Sequence, residues 1–240
     1  MSKLPQPTAL ILGASGAIGS QIADKLHKEQ YTLFLHGQNK EKTERLANEL
    51  GAKAIVADLL SPESTETIIS SLGKTKPVLV IHSAGGPLPK TKFISTLAHW
   101  EATFRLNLWN VLELNERLVQ QHPEGSSLNI VHISSSSARH AKGCGAYGAA
   151  KAALNHYIKS QAKGLLNQNV YLSGLMPAIV HGKGNRWDNL FGSNPDQYQD
   201  IANQQYIGQF QTAEEIAVTA IFLSKHPELA GCVLNLDANT

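Results

Sequence analysis

Two side chains that can exchange protons, Tyr147 and Lys151, stand four residues apart in the run Tyr-Gly-Ala-Ala-Lys. Where such a run is helical, residues at positions i and i+4 share one face, so the phenol and the ammonium can occupy one site. A free tyrosine titrates near pH 10, and a cation nearby favours the phenolate. One unit charge about 4 Å away, at an effective dielectric of about 20, contributes roughly 4 kcal/mol, enough to lower the pKa of the phenol substantially. The pair is therefore a candidate general acid and base.

Four consecutive serines, residues 134–137, follow the apolar segment Asn129–Ile133 just upstream of this pair. The segment is rich in β-branched residues and predicts a strand, whose carboxyl end would deliver the hydroxyls. One of them can hydrogen-bond the oxygen of a reacting carbonyl or alcohol. A serine run alone is typical of a loop, and a Tyr and a Lys at this spacing are often a packed aromatic and a solvated neighbour. Their combination favours a shared site.

A glycine-rich turn follows the first predicted strand and opens the first predicted helix. It reads Gly13-Ala14-Ser15-Gly16-Ala17-Ile18-Gly19. Glycines allow a tight turn and a close approach of the backbone, so that the N–H groups of the helix N-terminus can face a pyrophosphate. A glycine motif alone is also consistent with a structural turn. Its position after the first strand favours a dinucleotide-binding loop.

The composition is that of an ordinary globular protein with scattered basic residues. Of the 240 residues, 42% are hydrophobic, and 21 Lys and Arg against 19 Asp and Glu leave a net charge of +2. We therefore expect small molecules and further copies of the chain as partners, and neither nucleic acid nor a membrane. Cys144 and Cys232 lack metal-ligand spacing, so no metal site is predicted. With no predicted secretion signal or membrane span, we expect a cytoplasmic location.

Short apolar runs alternate with longer amphipathic segments along the chain. The predicted strands are Ala9–Leu12, Leu33–Leu35, Ala54–Val56, Val78–Ile81, Asn129–Ile133, Val170–Leu175 and Val233–Leu236. The predicted helices are Ile18–Glu29, Glu41–Leu50, Pro62–Leu72, Leu97–Gln121, Ala146–Leu166 and Ala213–Leu223. This alternation predicts an α/β fold, a doubly wound parallel sheet of about seven strands with helices on both faces. Ligands of such folds bind at the carboxyl ends of the strands.

One segment, residues 181–210, departs from the alternation, because it is polar and interrupted by glycine and proline. Long excursions inside compact domains are often lids. We predict one domain over residues 1–240 with a substrate lid at about 181–210. The aromatic residues of the lid either close over the substrate or pack against one another; they are Trp187, Phe191, Tyr198 and Tyr206.

Taken in order, these motifs resemble those of the short-chain dehydrogenase/reductase family, in its compact single-domain branch, over essentially the full length. The matching positions are Gly13–Gly19, Asp58, His82-Ser83-Ala84-Gly85, Asn107, the serines, Tyr147, Lys151 and Pro177. The resemblance implies a Rossmann-like fold. It also implies a nicotinamide-dependent oxidoreductase that interconverts a carbonyl and an alcohol by hydride transfer.

The resemblance also assigns roles to single residues. It implies that Tyr147 is the catalytic acid and base, that a serine polarises the substrate carbonyl, and that Lys151 lowers the tyrosine pKa and binds the nicotinamide ribose. Asn107 would hold a water of the proton relay, or else bond its helix neighbours. Asp58 would contact the adenine, although an Asp after a strand also caps helices. The implied cofactor-binding residues are Gly13, Ser15, Gly16, Ala17, Ile18, Gly19, Gln38, Asn39, Asp58, Ala84, Gly85, Tyr147, Lys151, Pro177 and Ile179.

The resemblance leaves two candidates for the catalytic serine. Counting back from Tyr147 by the interval usual in the family selects Ser134, whereas aligning the strand that ends at Ile133 selects Ser135. We favour Ser135, because strand geometry determines which side chain reaches the pocket more rigidly than a loop length does.

Three segments depart from the family pattern. His82-Ser83 replaces an asparagine pair, a change that we expect to weaken the packing of the fourth strand. The segment Pro177–Gly182 lacks the threonine hydroxyl that commonly contacts the cofactor phosphate, and His181, Lys183 or a backbone amide are the candidate substitutes. In the first loop, Ala17 stands where compact members have their middle glycine, while the preceding glycine restores the spacing of longer relatives.

The residues after the second strand bear on the choice of nicotinamide. An acid there would accept the ribose hydroxyls and repel a 2′-phosphate, but the sequence reads Gly37-Gln38-Asn39-Lys40. Gln38 stands where NADP users commonly have arginine, so Asn39, Lys40 or Lys42 would supply the phosphate contacts. The lysines are equally consistent with an exposed helix start. We predict NADP(H), with NAD(H) as the alternative.

The sequence thus predicts an NADP(H)-dependent reductase of ketones or aldehydes, with 3-oxoacyl thioesters among the candidate substrates. An NAD-dependent alcohol dehydrogenase and a catalytically silent dinucleotide-binding regulator stay open as alternatives. By the resemblance, the helices Leu97–Gln121 and Ala146–Leu166 would form the contact of a homodimer or homotetramer. Buried structural roles are expected for His140, Cys144 and Trp109.

Overall fold

The fold is seen in a computed structural model that describes residues 6–89, 95–140 and 145–238. Its strands are β1 (Thr8–Leu12), β2 (Thr32–Gly37), β3 (Lys53–Val56), β4 (Leu79–His82), β5 (Leu128–Ile133), β6 (Val170–Met176), β7 (Val180–His181), β8 (Gln211–Thr212) and β9 (Val233–Asn235). Its α-helices are α1 (Ala17–Lys28), α2 (Lys40–Glu49), α3 (Ser64–Leu72), α4 (Leu97–Phe104), α5 (Asn110–Gln120), α6 (Gly145–Leu165), α7 (Arg186–Ser193), α8 (Pro195–Asn203) and α9 (Ala213–Ser224).

Within the described ranges, seven strands form the central sheet in the order β3-β2-β1-β4-β5-β6-β9. All of its strand pairs are parallel. The inner strands are buried along nearly their whole length, as a sheet covered by helices on both faces requires. The predicted α/β fold with a Rossmann-like, doubly wound parallel sheet is confirmed. The two short strands β7 and β8 pair separately.

Two hydrophobic clusters, one on each face of the sheet, hold the helices in place. Alternate residues of β1 serve the two faces: Leu10 and Leu12 join the cluster with α3, α5 and α6, and Ala9 and Ile11 join the cluster with α1, α2 and α9. Fully burying a Leu or Ile side chain contributes about 1.5–3 kcal/mol. The carboxyl edge of the sheet is thereby held in place between the two layers of helices.

The long helix predicted over Leu97–Gln121 is wrong in one respect, because a π-helical turn over Arg105–Trp109 separates α4 from α5. The side-chain amide of Asn110 explains the wider turn. Its Nδ2 donates to the carbonyl oxygens of Arg105 at 2.8 Å and Leu106 at 2.6 Å. Single π-turns inside α-helices are frequent at functional sites.

The strand order reverses between β1 and β4, which opens a crevice at the carboxyl edge where α/β proteins bind ligands. The loops after these strands touch at its base. Gly13 adopts a φ of +74°, and a Cβ there would lie 2.7 Å from the Cα of Ala84. Glycine is therefore required at this position by both the backbone conformation and the close approach.

None of the helices in the described ranges is both long and apolar enough to cross a bilayer. The same ranges hold no group of three or more His, Cys, Asp or Glu side chains that could bind a metal ion. Cys232 is a partly buried free thiol, and Cys144 lies outside the described residues.

Candidate active site

A cleft of about 460 Å³ opens at the carboxyl ends of β1, β4, β5 and β6. It brings together side chains that lie far apart in the sequence. The predicted site residues that line it are Ile18, Ala84, Gly85, Ser134, Ser135, Tyr147, Lys151, Pro177 and Ile179. Residues from the carboxyl ends of four strands thus surround one space.

The phenol of Tyr147 lies against Ser135, whose hydroxyl hydrogen-bonds it. Ser135 also accepts the backbone N–H of Ser137 at 3.1 Å, because it begins a short 3₁₀ turn. Helix α6 can approach this turn closely, since a Cβ on Gly148 would lie 2.6 Å from the carbonyl oxygen of Ser137. Ser134 is 4% exposed, and its hydroxyl lies 3.5 Å from the carbonyl oxygen of Lys151. Of the two candidate serines, Ser135 is the one that contacts the phenol.

Lys151 reaches under the site to β5. It is 3% exposed, and its Nζ donates to the carbonyl oxygen of Ile133 at 2.9 Å and lies 5.9 Å from the centre of the Tyr147 ring. Burial lowers the pKa of Lys151 to about 8. Burial raises the pKa of Tyr147, and the hydrogen bond with Ser135 opposes this. The pKa of Tyr147 thus shifts upward, opposite to the lowering expected from Lys151, because loss of water around the phenol is the largest contribution.

Asn107 lies in the π-turn and is fully buried. Its Oδ1 accepts the N–H of Gly86 at 2.9 Å, and its Nδ2 donates to the carbonyl oxygens of Gly86 at 3.0 Å and Thr103 at 2.9 Å. A Cβ on Gly85 would lie 2.6 Å from Asn107 Oδ1 and 3.5 Å from Lys151 Nζ. Asn107 therefore holds the loop after β4 beside the lysine, and its role in a water relay stays a prediction.

The N-terminus of α1 faces the crevice without a side-chain cap. Gly16 is the N-cap residue, and the backbone N–H groups of Ala17, Ile18 and Gly19 have no hydrogen-bond partner among the described residues. Such a terminus attracts a phosphate through its free donors and its dipole. A Cβ on Gly19 would lie 2.2 Å from the carbonyl oxygen of Gly13. The residues present therefore fit the pyrophosphate of a dinucleotide.

A small corner lined by hydroxyls lies beside the end of β2. A Cβ on Gly37 would lie 2.3 Å from Thr43 Oγ1 and 2.6 Å from Ser15 Oγ, so a larger residue at position 37 would require these two hydroxyls to move. Gln38 is exposed. Asn39 is the N-cap of α2, and its Oδ1 accepts the N–H of Lys42 at 2.9 Å, so the oxygen of its side-chain amide is already engaged.

Two other predicted cofactor contacts are engaged within the protein. Asp58 is exposed, and its Oδ1 accepts the N–H of Leu60 at 2.9 Å, which closes a local turn and does not cap a helix, because α3 begins only at Ser64. His181 is held by the lid: its Nδ1 lies 3.1 Å from the hydroxyl of Tyr198, and its Nε2 lies 3.6 Å from a carboxylate oxygen of Asp188. His181 is thus turned toward α7 and α8.

His82 does not loosen the fourth strand as expected, because its ring belongs to a buried polar network. Its Nε2 lies 2.8 Å from Asn115 Oδ1, and its ring stacks on His132 with 5.0 Å between the centroids. The Nδ2 of Asn115 lies 3.0 Å from His132 Nε2 and 3.2 Å from the hydroxyl of Tyr157. The imidazole that replaces an asparagine side chain at position 82 thus has a hydrogen-bonding partner in Asn115 and a stacking partner in His132.

The predicted lid, residues 181–210, contains α7 and α8, and most of its aromatic residues pack on one another. Ring centroids lie 5.1 Å apart for Phe191 and Tyr198, 4.7 Å for Tyr198 and Phe210, and 5.1 Å for Trp187 and Phe210. Trp187 also lines the cleft, whereas Tyr206 is 76% exposed. Of the two roles expected for these aromatic residues, the structure shows packing against other aromatic rings for Phe191 and Tyr198.

A second cavity, of about 510 Å³, adjoins the cleft and shares Ser136, Ser137 and Ile179 with it. His140 lines this cavity, and Trp109 is 43% exposed, so neither has the buried role expected. The other lining residues were not predicted from the sequence; they are Ile201, Gln204, Gln205 and Asp237. Asp237 follows the last strand by two residues, so the rule that ligands bind at strand ends would have selected it.

Comparison with known proteins decides the family. A family model described as short chain dehydrogenase matches residues 7–189. The chain belongs to the short-chain dehydrogenase/reductase family. As a member of this family, it is an NAD(P)-dependent oxidoreductase.

Other members of the family match most of the chain. An uncharacterized oxidoreductase of Staphylococcus aureus is 28% identical over 186 residues, which cover 75% of this chain and 80% of that protein. Nodulation protein G of Rhizobium meliloti is 27% identical over 241 residues, covering 93% of this chain and 91% of that protein. Because it covers 93% of the chain, the match to the second relative extends through residues 181–210.

Solved structures of the family share the fold. A 3-oxoacyl (acyl-carrier-protein) reductase from Agrobacterium tumefaciens with NADP bound superposes with a TM-score of 0.86, at 22% identity, over 96% of this chain and 92% of that chain. L-Sorbose reductase from Gluconobacter frateurii, in complex with NADPH and L-sorbose, gives a TM-score of 0.87 at 21% identity, over 98% of this chain and 96% of that chain. At these identities the likeness concerns the fold.

Two departures from the family pattern, Ala17 and Gly182, lie against each other. A Cβ on Gly182 would lie 2.6 Å from the Cβ of Ala17 and 3.1 Å from the Cβ of Ala213. The methyl group of Ala17 therefore occupies space that a threonine at position 182 would need. The two changes compensate each other.

This contact predicts a coupled effect of two substitutions. Gly182→Thr alone should lower the free energy of unfolding by about 1–3 kcal/mol, because the added atoms overpack the contact with Ala17. In the double variant Ala17→Gly/Gly182→Thr, most of this loss should be recovered. Urea denaturation of the wild type, both single variants and the double variant measures the coupling. Effects that simply add would contradict the compensation.

Proposed function

We propose that the protein reduces a ketone or an aldehyde with NADPH and that Tyr147 is the general acid. The observation that carries the proposal is the convergence on one cleft of Tyr147, Ser135 and Lys151 beside the uncapped N-terminus of α1. The nicotinamide dinucleotide, when bound, supplies the hydride.

The residues of the chain would orient the substrate and move the proton. The hydroxyl of Ser135, beside the phenol, would hydrogen-bond the carbonyl oxygen of the substrate. The Oη of Tyr147 would then protonate this oxygen as the alcohol forms. With a pKa of about 8, Lys151 is still mainly protonated at pH 7, so it can stabilise the phenolate that remains until solvent returns the proton. Oxidation of the alcohol would follow the reverse path, with Tyr147 as the base.

The preference for NADPH is supported by the end of β2. Gly37 supplies no carboxylate that would repel a 2′-phosphate, and the hydroxyls of Thr43 and Ser15 occupy the space beside it. Nearby, Lys40 and Lys42 are exposed at the start of α2. A lysine there and the hydroxyl of Ser15 would contact the 2′-phosphate. They would take over the role of the arginine that NADP users commonly have at the position of Gln38.

A comparison of the two nicotinamides tests the proposal. We expect NADPH to bind at least about tenfold more tightly than NADH, measured by fluorescence titration, and to be consumed with a panel of ketones and aldehydes. A tenfold preference for NADH would overturn the cofactor proposal. Tight binding of NADPH without consumption across the panel would instead indicate the catalytically silent regulator.

We also propose the lid, the assembly and the location of the protein. One domain would carry residues 181–210 as a substrate lid, and the chain would act in the cytoplasm as a homodimer or homotetramer. Exposed large apolar side chains support a subunit contact; they include Leu97, Trp100, Trp109, Val218 and Phe222. A monomer mass in sedimentation equilibrium would contradict this assembly.

A further inference from the structure

The second cavity, which the catalytic proposal does not use, is lined mainly by polar side chains. Six of the side chains that line it are hydroxyl, amide, imidazole or carboxylate groups: Ser136, Ser137, His140, Gln204, Gln205 and Asp237. Its apolar lining in the described residues comes from Ile179 and Ile201. At about 510 Å³, it has the size of a small-molecule site.

A buried ion pair or hydrogen bond organises one wall of this cavity. Asp237 is only 6% exposed, and its Oδ2 lies 3.3 Å from the Nε2 of His140. Asn235 holds the backbone of Asp237, because its Oδ1 accepts the N–H of Asp237 at 3.1 Å and its Nδ2 donates to the carbonyl oxygen at 3.0 Å. The imidazole of His140 is therefore oriented by a carboxylate that the fold itself holds in place.

The cavity lies next to the catalytic cleft, since Ser136, Ser137 and Ile179 line both. Ser136 and Ser137 directly follow Ser135 in the chain, and Ile179 follows Pro177 by two residues. The 3₁₀ turn Ser136–Ala138, here called the serine turn, lies between the two spaces. A substrate whose carbonyl group lies against Ser135 and Tyr147 can therefore extend past this turn toward the second cavity.

The chemistry of the lining selects among substrate classes. Hydroxyl, amide and imidazole groups both donate and accept hydrogen bonds, and a hydroxyl group on a ligand does the same. An alkyl chain would offer no hydrogen bond to the Gln204 amide or to the hydroxyls of Ser136 and Ser137, and a site built for hydrogen bonding discriminates strongly against such ligands. Neither Lys nor Arg occurs among the described residues of the lining, so an anionic ligand finds no counter-charge in them.

We infer that the second cavity binds the hydroxyl-bearing part of a polyhydroxylated carbonyl substrate. This inference rests on the proposed reductase activity for the position of the carbonyl group, and it names the class of molecule on which that activity works. The cavity acts as a specificity subsite, with Gln204 and the His140–Asp237 pair as its hydrogen-bonding groups.

A matched pair of substrates tests the inference with the NADPH-loaded protein. The first is a six-carbon keto sugar, and the second is methyl butyl ketone, which has the same carbon chain without the hydroxyl groups. We expect kcat/KM to be at least about 100-fold higher for the keto sugar. Equal values, or a preference for the plain ketone, would overturn the inference while leaving the reductase proposal intact.

Two variants on α8 and the turn after it separate the subsite from a general effect. Gln204→Leu removes an exposed lining amide, and Gln199→Leu makes the same change on α8 at a position outside the lining. We expect Gln204→Leu to raise KM for the keto sugar about tenfold with little change in kcat, and to leave the plain ketone unaffected. Gln199→Leu should change neither substrate. An equal effect of the two variants would contradict a subsite at Gln204.

Binding without turnover keeps the inference independent of catalysis. If neither ketone is reduced, calorimetry compares a hexitol with hexanol as ligands of the NADPH-loaded protein, while the panel of ketones and aldehydes decides the reductase proposal. The hexitol should bind more tightly in the wild type, and Gln204→Leu should weaken its binding about tenfold. Equal binding of the two alcohols would overturn the inference in this case as well.

Discussion

Replacing Tyr147 with phenylalanine is expected to lower kcat/KM for carbonyl reduction by about 10²–10⁴-fold, the range that a general acid contributes. The substitution removes the only atom of this side chain that can carry the proton. The ring, which lies beside Lys151, is retained. The affinity for NADPH, measured by fluorescence titration, should therefore stay within about twofold of the wild type, and the loss should be confined to turnover.

Tyr157 offers a matched control for this variant, since it is a second partly buried tyrosine on the same helix. Its hydroxyl accepts a hydrogen bond from Asn115 at 3.2 Å and does not line the cleft. Tyr157→Phe should lower the free energy of unfolding by about 1 kcal/mol and leave kcat/KM unchanged. An unchanged rate in Tyr147→Phe, or an equal loss in both variants, would refute the assignment of Tyr147 as the acid.

Acidification from pH 7 to pH 5 is expected to destabilise the fold by about 4 kcal/mol through two histidines alone. Burial lowers the pKa of His36 and of His132 from 6.5 to about 4 each. Between these two values the unfolded chain binds protons that the folded protein excludes, so stability is fully present above pH 6.5 and falls as the pH drops toward 4. Each group contributes about 2 kcal/mol over the interval to pH 5.

His82 should add to this loss, because burial and the neighbouring His132 hold its pKa well below the ordinary value. The contacts of the rings explain why these residues stay neutral. His36 lies between two backbone groups, with Gly13 N 3.4 Å from its Nδ1 and the Ala57 carbonyl oxygen 3.1 Å from its Nε2. One ring nitrogen thus accepts and the other donates, which suits a neutral imidazole.

Urea denaturation at pH 7, 6 and 5 measures the effect, and two variants assign it. His36→Gln should lower stability at pH 7 and also reduce the pH dependence by about 2 kcal/mol over this range. His27→Gln changes an exposed histidine of α1 and should leave the pH dependence as in the wild type. An identical slope in the wild type and in His36→Gln would show that His36 is not the group that titrates.

Local patterns in the sequence were sufficient for much of this protein. Apolar runs with strand character and helices with regular apolar spacing predict the parallel sheet, because these periodicities report directly which face of each element is buried. The glycines from Gly13 to Gly19 and the pair Tyr147 and Lys151 are also recognisable locally. Each motif spans only a few residues, so its geometry is determined by the local backbone conformation. The rule that ligands bind at strand ends then places them at one edge.

Other features depend on contacts between distant segments, and only the tertiary structure decided them. The contact of Ser135 with the phenol of Tyr147 requires the packing of α6 against the serine turn, which Gly148 permits. The raised pKa of Tyr147 reflects burial, a quantity that no spacing of residues contains. The compensation between Ala17 and Gly182 likewise joins residues more than 160 positions apart along the chain.

The acid–base pair and the second cavity show the difference most clearly. The spacing of Tyr147 and Lys151 predicts a shared face of one helix, since a helix has a fixed period. The polar cavity is assembled from the serine turn, from the segment around Gln204 and from Asp237 after the last strand. No local period links these segments. Their proximity results from the strand order of the sheet and from the packing of the lid, which are properties of the whole fold.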